Sequence, residues 1–397
     1  MEQNSIQVLK EKWQPILEAK GVAPIEDTYK ANVTARLLES TQIALKEASS
    51  QTQTGNMANF DPILISLVRR MAPKLIAYDI CGVQPMSMPT GLIFAMRSRY
   101  NGKNGAEALF NEADTDFSGA GIHAGSDPFD VAYSTGAGKI TADGEAEAWN
   151  PMSMTIEKAN VVAKTRKLRA DYSNELQQDL KTVHGLDADA ELVNILSSEI
   201  INEINREIVR TIYSVAKQGA QFTAAPGTFN LTADADGRWS VERFKGLMYA
   251  IERDANAVSI ETRRGKGNII ITSADVASAL VMAGLLVYNN PAFIAQTQLE
   301  VDVTGTTYAG QMGRFKVFVD PYLSSNGYVV GFKGANAYDA GLFYAPYVPL
   351  QVYRATNVDS FEPAVGFMTR YGICANPFTS MNGADNVYYR KAKILNL

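Results

Sequence analysis

The stretch Lys74-Leu-Ile-Ala-Tyr-Asp-Ile-Cys-Gly-Val-Gln-Pro-Met-Ser-Met-Pro-Thr-Gly91, running on into Leu92-Ile-Phe-Ala-Met-Arg97, decides how the chain is laid out. An apolar run stops at Gly82. Proline fixes its own φ and restricts the residue before it, so Gln84-Pro85 and Met88-Pro89 must be extended or turned. Alternation resumes at Leu92 and predicts a strand from Leu92 to Tyr100. The chain turns a fixed corner here, and nothing in the stretch is arranged for catalysis.

Upstream, Asp61-Pro62 is an N-cap followed by proline at the first helical position, which predicts a short helix through Ile63 to Arg70. The polar run 48–56 cannot bury enough surface to offset its ordering entropy and reads as a linker or arm. Before it, Ile6, Leu9, Trp13, Ile16 and Leu17 keep helix-like spacing interrupted by Pro15, which predicts short helices with no core of their own and with Trp13 and Leu17 exposed.

Downstream, residues 101–149 form a Gly-, Ala- and Asp-rich excursion with nine acidic residues against Lys103 and Lys139. Loops this long usually bind a partner or reach outward. The strand-like run from Met152 to Leu168 that follows leads into Lys158, Lys164, Arg166, Lys167 and Arg169, opposite in sign. Such complementarity suits contacts between neighbouring copies, with solvated charge as the alternative.

The strongest local signal is a helix from Asp187 or Asp189 to Gln218, ended by Gly219. Acidic residues crowd its positive end, as the macrodipole prefers. Leu196, Ile200, Ile204, Ile208 and Ile212, flanked by Val193, Ile201 and Val215, mark one apolar face. At about 1.5 Å per residue such a helix runs roughly 45 Å, the length of a structural spine. A helix from Trp239 to Glu261, a strand from Asn268 to Thr272, a helix from Ala274 to Ala283 and strands at 315–319, 328–332 and 342–344 follow without βαβ repetition. That order predicts an α+β fold.

With 397 residues and 46% hydrophobic content the chain can bury a substantial core, enough for two or three domains. Cys81 and Cys374 stand apart and have no ligand spacing, so neither a disulfide framework nor a zinc site is expected. No apolar run approaches the roughly 18 residues of a membrane span, and the first residues lack signal-peptide character. A net charge of −5 argues against strong nucleic-acid binding, because neutralising phosphates needs clustered Lys and Arg.

Neither His123 nor His184 has the partners of a triad; the first reads as an exposed loop residue and the second as a turn or cap. Arg263-Arg-Gly-Lys-Gly267 fails the phosphate-loop pattern, since Gly267 stands where Ser or Thr is needed, and reads as a solvated loop at a subunit contact, with an anion site as the alternative. Gly119-Ala-Gly121 and Gly136-Ala-Gly138 lack the dinucleotide fingerprint, and Asp234-Ala-Asp236-Gly lacks a full calcium loop. Glu145 and Glu147 are too exposed in context for an acid/base pair. No catalytic, metal or cofactor-binding residue is expected.

Beyond the corner itself, the wording of Arg169-Ala-Asp-Tyr-Ser-Asn-Glu-Leu-Gln-Gln-Asp-Leu180, Val183-His-Gly-Leu-Asp-Ala-Asp-Ala-Glu-Leu192 and Glu203-Ile-Asn-Arg-Glu-Ile208 resembles the major capsid proteins of T-even-like tailed bacteriophages. The resemblance continues through Gly267-Asn-Ile-Ile270, Gly341-Leu-Phe-Tyr-Ala-Pro-Tyr-Val348, Gly366-Phe-Met-Thr-Arg-Tyr-Gly-Ile373, Asn376-Pro-Phe378 and Tyr388-Tyr-Arg390. It implies a Hong Kong 97-type capsid fold. In that scheme residues 1–47 are a cleavable scaffold-like segment, 48–71 an arm, 72–99 the peripheral-domain entry, and 100–168 the extended loop. Residues 169–238 are the peripheral domain with its spine helix, 239–345 the axial domain, and 346–397 strands returning to the peripheral domain. Better-known members carry a larger insertion in the extended-loop region than about fifty residues can hold, so lattice contacts made by it are not carried over.

The implied function is that of a virion shell subunit, a homo-hexamer meeting neighbouring capsomers and assembled in the bacterial cytoplasm. Implied partners are vertex and portal proteins, an internal scaffold, a prohead protease, and double-stranded DNA held by containment. An encapsulin-type compartment and the related pentameric vertex protein are the alternatives. Proteases of this phage group cut after Glu in a pattern of Ile or Leu, any residue, Glu, then a small residue. Ile16-Leu-Glu18 before Ala19, Leu37-Leu-Glu39 before Ser40 and Leu45-Lys-Glu47 before Ala48 match it. Glu47 is the preferred final cut because it borders the polar run, with Glu39 and Glu18 as alternatives. Arg166, Lys167, Arg169, Arg263, Arg264 and Lys266 are the candidate subunit-contact residues.

Overall fold

The computed structural model describes residues 9–14, 17, 25, 28–49, 75–109, 112–125, 129–146, 149–235, 237, 239–284, 286–288, 307–336, 338–356, 362–376 and 385–397. The helix expected at 63–70 lies outside them. Helix α1 is Thr28–Ser49 and α2 is Ala77–Ile80; β1 (Gly82–Val83), β2 (Thr90–Tyr100) and β3 (Glu107–Ala108) follow. Then come α3 (Thr141–Ala146), β4 (Met152–Val162), β5 (Lys164–Asp171), α4 (Asn174–Asp179), the long α5 (Ala188–Val215), β6 (Ala216–Gln218) and β7 (Thr228–Asn230). The remainder is α6 (Ser240–Thr262), β8 (Ile269–Ser273), α7 (Ala274–Met282), β9 (Val287–Tyr288), β10 (Thr307–Met312), β11 (Phe315–Asp320), β12 (Gly327–Gly331), β13 (Leu342–Thr356), β14 (Pro363–Ala375) and β15 (Asn386–Leu395). Helices and strands interleave without βαβ repetition, so the class is α+β, as the sequence implies.

The chain divides into a body, Met1–Gly91 with Val161–Leu397, and a second unit, Leu92–Asn160. The body holds two sheets. One runs β1-β13-β14-β5; the other runs β6-β15-β12-β8-β11-β10-β9, with β7 also on β15. The larger sheet is a wall buried on both faces. Successive strand residues point to opposite sides, so Ile269 and Ile271 of β8 enter the core that contains α5, while Ile270 enters the core of α6 and α7 beside Leu247, Ile251, Val276 and Leu280. The same alternation splits Val329 from Tyr328 and Val330 on β12, and Phe318 from Phe315 and Val317 on β11. Two-sided burial is why these strands read as continuous apolar runs.

The spine begins where expected. Asp187 caps it, its side chain accepting the Asp189 N–H at 3.3 Å. Ile200, Ile204, Ile208 and Ile212 are all buried in the first core. The far end comes early: Ala216 is already extended, and 216–218 pair in parallel with β15. Residues that continue the helical spacing are taken by the open edge of a sheet, a tertiary preference that local periodicity does not carry. A second difference is the run from Met152, which is two strands. It breaks at Ala163, whose N–H donates to the Pro89 carbonyl at 2.9 Å, and there the chain leaves the β3-β2-β4 sheet and joins β14. The strand at Leu342 runs through Pro346 and Pro349 to Thr356, with register shifts between Pro346 and Val348 and between Val348 and Gln351.

Buried polar groups tie the body together. Asp320, fully buried, accepts two bonds from Arg206 of the spine at 2.7 and 2.8 Å, the Tyr213 hydroxyl at 3.2 Å and the Tyr322 N–H at 3.0 Å. Asp254 of α6 accepts the Ala220 N–H at 2.9 Å and the Tyr328 hydroxyl at 2.8 Å, linking helix, turn and wall.

The N-terminal segment departs from expectation. Trp13 and Leu17 are 3% and 6% exposed and pack with Ala35 and Leu38 in a small core of their own. The missing signal was tertiary: the surface that covers Trp13 and Leu17 is supplied by α1, some twenty residues on.

If α5 is held by its isoleucine face, the same substitution should have opposite consequences along it. Ile208→Ala should lose about 2–5 kcal/mol, whereas Ile195→Ala, at a position 59% exposed, should stay within about 0.5 kcal/mol of the parent. Denaturant unfolding of the two variants is the check.

Candidate subunit interface

The six cations singled out from sequence separate into two groups. Arg166 on β5 is engaged within the body. Its Nη1 reaches Glu203 of the spine at 2.7 Å, Nη2 donates to Glu207, Nε donates to the Tyr371 hydroxyl, and that hydroxyl in turn donates to Glu207 at 2.6 Å. Burial and the neighbouring carboxylate push the Tyr371 phenol upward. Arg166 therefore fastens β5 and β14 to α5. Lys266 is also engaged, donating to Glu252, which Arg314 shares at 3.0 Å.

The other four face solvent. Lys167 makes no ion pair among the described residues, and Arg169, two residues on, pairs only with Asp171 on its own strand, at 2.8 Å. That bond holds the Asp171 carboxyl below the usual range. Arg263 sits at the left-handed C-cap of α6 with φ 53°, and both it and Arg264 are exposed and make no ion pair among the described residues. A one-dimensional charge run does not say which cations a neighbouring helix will claim. Here residues 203 and 207, one turn apart on the spine, claim Arg166.

In the second unit, the acidic excursion folds back on itself through bridges Ala120↔Ala137 and Ala124↔Ser134. His123 is half-buried, not an exposed loop residue. Its ring Nδ1 lies 3.0 Å from the Thr115 hydroxyl and its N–H donates to Asp116 at 2.9 Å, so the histidine and Asp116 are spent on loop geometry. The His123 N–H lowers the Asp116 pKa, and the hydrogen bond with Asp116 raises that of Asp114. Glu112, Asp143 and Glu145 are exposed and make no ion pair among the described residues. Asp127 and Glu147 lie outside them.

A surface that the sequence reading passed over lies in this unit. Strands β2 and β4 are neighbours. On one face Arg99 bonds Thr155 at 3.2 Å and Glu157 at 3.1 Å, and Arg97 meets Glu157 at 3.4 Å and Glu107 at 3.5 Å. Period-two alternation puts Leu92, Phe94 and Met96 on the opposite face with Met152, Met154 and Ile156, every one of them more than half exposed. The alternation was visible in the sequence. Which half of it meets a core was not.

No group of three His, Cys, Asp or Glu among the described residues could hold a metal. Burial pushes the Cys81 thiol up to about 12 and raises that of Cys374, so neither is poised as a thiolate. His184 ends the π-turn Leu180–His184 beside Gly185 at φ 66°, the turn role expected of it. What the molecule offers is contact surface: a bare apolar ribbon face, an acidic loop and four outward cations.

Residues 57–394 match the family of the major capsid protein Gp23. The chain belongs to that family. A major capsid protein of Serratia phage KSP90 is 38% identical over 98% of this chain and 98% of its own. That of Enterobacteria phage T4 is 33% identical over 93% of this chain and 91% of its own. The T4 alignment runs over 483 residues, longer than this whole chain, so that relative carries residues with no counterpart here. Among solved structures, the capsid of Myoviridae phage XM1 aligns with a TM-score of 0.44 at 8% identity, over 81% of this chain and 92% of that one. As a Gp23-family major capsid protein, the chain is a structural component of the virion capsid of tailed myoviruses.

Of the processing positions, Glu39 lies inside α1 with its carboxylate 2.6 Å from Lys12 Nζ and 2.9 Å from Trp13 Nε1. Glu47 lies in the last turn of α1, and Ala48 and Ser49 are helical where an open linker was expected. Glu18 is outside the described residues.

The two groups of cations should separate by experiment. Arg166→Ala should lower stability by about 1–2 kcal/mol, reduced by its partial exposure, while Lys167→Glu should leave the melting temperature unchanged. Thermal unfolding of both variants measures this.

Proposed function

We propose that this capsid protein assembles as hexamers into a closed icosahedral head shell around double-stranded DNA, with the Hong Kong 97-type arrangement that its family implies. The observation that carries the reading is the exposed face of Leu92, Phe94, Met96, Met152, Met154 and Ile156. Soluble monomers rarely leave such a contiguous apolar patch bare, and a patch rimmed by polar residues marks a protein contact. In a shell of identical subunits, head-to-tail contacts close into rings, and pentamers elsewhere supply curvature. The occupant of the face is then another copy of the chain. The free carboxylates of the excursion and, separately, the outward Lys167, Arg169, Arg263 and Arg264 of the body are surfaces on which charge can set register between copies. The protein acts by containment and is not an enzyme.

The body would serve as the peripheral domain around the spine and the axial domain around α6 and α7, and the second unit as the extended loop. Assembly in the host cytoplasm on an internal scaffold, with vertex and portal proteins completing the head, would precede processing by a prohead protease and expansion. Glu47 remains the preferred cut. A protease needs extended backbone, and the last turn of a helix opens at lower free energy than its middle, where Glu39 is clasped by Lys12 and Trp13.

Phe94→Asp combined with Met154→Asp should abolish shell formation while the subunit stays folded. Electron microscopy of the purified chain, with circular dichroism as the folding control, tests this; normal particles from the double variant would remove the apolar face from the mechanism. Mass spectrometry of subunits from DNA-filled virions should find Ala48 as the first residue. An intact Met1 end there would refute processing, and a start at Ala19 or Ser40 only the choice of site.

A further inference from the structure

Within the body, the helix that processing would remove is not loosely attached. Tyr29, Val33 and Leu37 recur every four residues along one face of α1. The Tyr29 hydroxyl donates to the Val83 carbonyl at 3.2 Å and accepts the Val83 N–H at 3.1 Å. Val83 belongs to β1, the outermost strand of its sheet, so this one hydroxyl occupies an open sheet edge. Lys333 Nζ lies 5.1 Å from the centre of the Tyr29 ring. Lys30 Nζ is 3.2 Å from the Asp79 carboxylate of α2. Val33 and Leu37, each 5% exposed, belong to the same core as Leu75, Tyr78, Ile204, Tyr344 and Leu350. Apolar anchors at i and i+4 flanked by a polar clasp are how an amphipathic helix is recognised by a groove.

All these contacts are made by residues 29–37. The chain joins this helix to the rest of the body through 50–74, on the C-terminal side of every one of them. A cut after Glu39 or Glu47 therefore breaks the covalent link and leaves every anchor in place.

We propose that the body holds its own N-terminal segment as a ligand in the groove between α2, β1, β13 and α5, so that cutting the chain and releasing the segment are separate steps. Release then requires the groove to change shape or the segment to be cut again. Once empty, the groove presents the Val83 edge, the Asp79 carboxylate and the apolar side chains that Val33 and Leu37 covered. The proposal rests on the processing reading for its occasion in the phage cycle, and on α1 contacts alone for its geometry.

The test uses the full chain with a site-specific protease sequence inserted between Gly55 and Asn56, cut after purification and examined by native mass spectrometry and gel filtration. The cut parent should keep its N-terminal fragment. Leu37→Asp and Lys30→Glu should each weaken the hold by about tenfold or more, seen as separation of the fragment on dilution. If Leu37→Asp does not fold by circular dichroism, Lys30→Glu decides, since that side chain is at the rim of the groove. A parent fragment that separates at once overturns the proposal, and so does a fragment retained equally in the parent and the folded variants. An unprocessed Met1 end in virions would refute processing while leaving this result standing, and separation of the fragment in vitro would do the reverse.

Discussion

The body depends on one sheet being buried on both sides. A strand that faces two cores has no solvent side on which to place a polar residue, and β8, with Ile269, Ile270 and Ile271 all buried, shows the consequence. Each core then needs its own cover. The spine α5 closes one and α6 with α7 close the other, and their apolar faces are set by what the wall presents to them. The buried carboxylates follow from the same arrangement. Asp320 ends a wall strand and takes Arg206 and Tyr213 from the spine; Asp254 looks out of α6 to Tyr328 on β12. Each would be costly to bury alone, and each is satisfied by a partner across the boundary between wall and cover.

How much of this could be read from residues depends on whether the signal was local. The start of the spine was, because Asp187 and the isoleucine ladder act within a few turns. Its end was not, because Ala216 to Gln218 leave the helix only when β15 offers an edge. The break at Ala163 was equally hidden, since the residues on both sides favour strand and only the change of partner sheet divides them. At the interface, the charge pattern drew attention to Arg166, which in the structure clamps β5 to the spine. The ribbon face escaped notice because alternation defines two faces without saying which is covered. For the same reason Trp13 read as exposed: what buries it lies in α1, far along the chain.

The separation of charged from apolar surface has a physical meaning for a shell. The ribbon pairs Arg97 and Arg99 with Glu107 and Glu157 on one face and leaves the other face largely apolar, with Lys158 the charged residue that β4 adds to it. Contact through an apolar face gains little from precise charge placement and is insensitive to ionic strength, whereas exposed charges affect encounter and register more than strength. A subunit built this way relies on area repeated many times, which suits a closed lattice better than a pairwise complex.

The corner at residues 75–83 is where these constraints meet. Leu75, Ile76 and Tyr78 enter the core of the spine, Gly82 and Val83 open the sheet that ends at β5, and Gln84 and Met86 extend the pairing by donating to the carbonyls of Tyr344 and Pro346 at 3.0 and 2.9 Å. Because β1 is short and lies at the edge, its outer N–H and C=O need a partner, and Tyr29 of α1 supplies one hydroxyl to both. The folded subunit thus closes an otherwise open sheet edge with a side chain from a helix far earlier in the chain. Pro85 and Pro89 follow directly, and because their restriction on the backbone is local, the shape of this edge rests on its packing against β13 and α1.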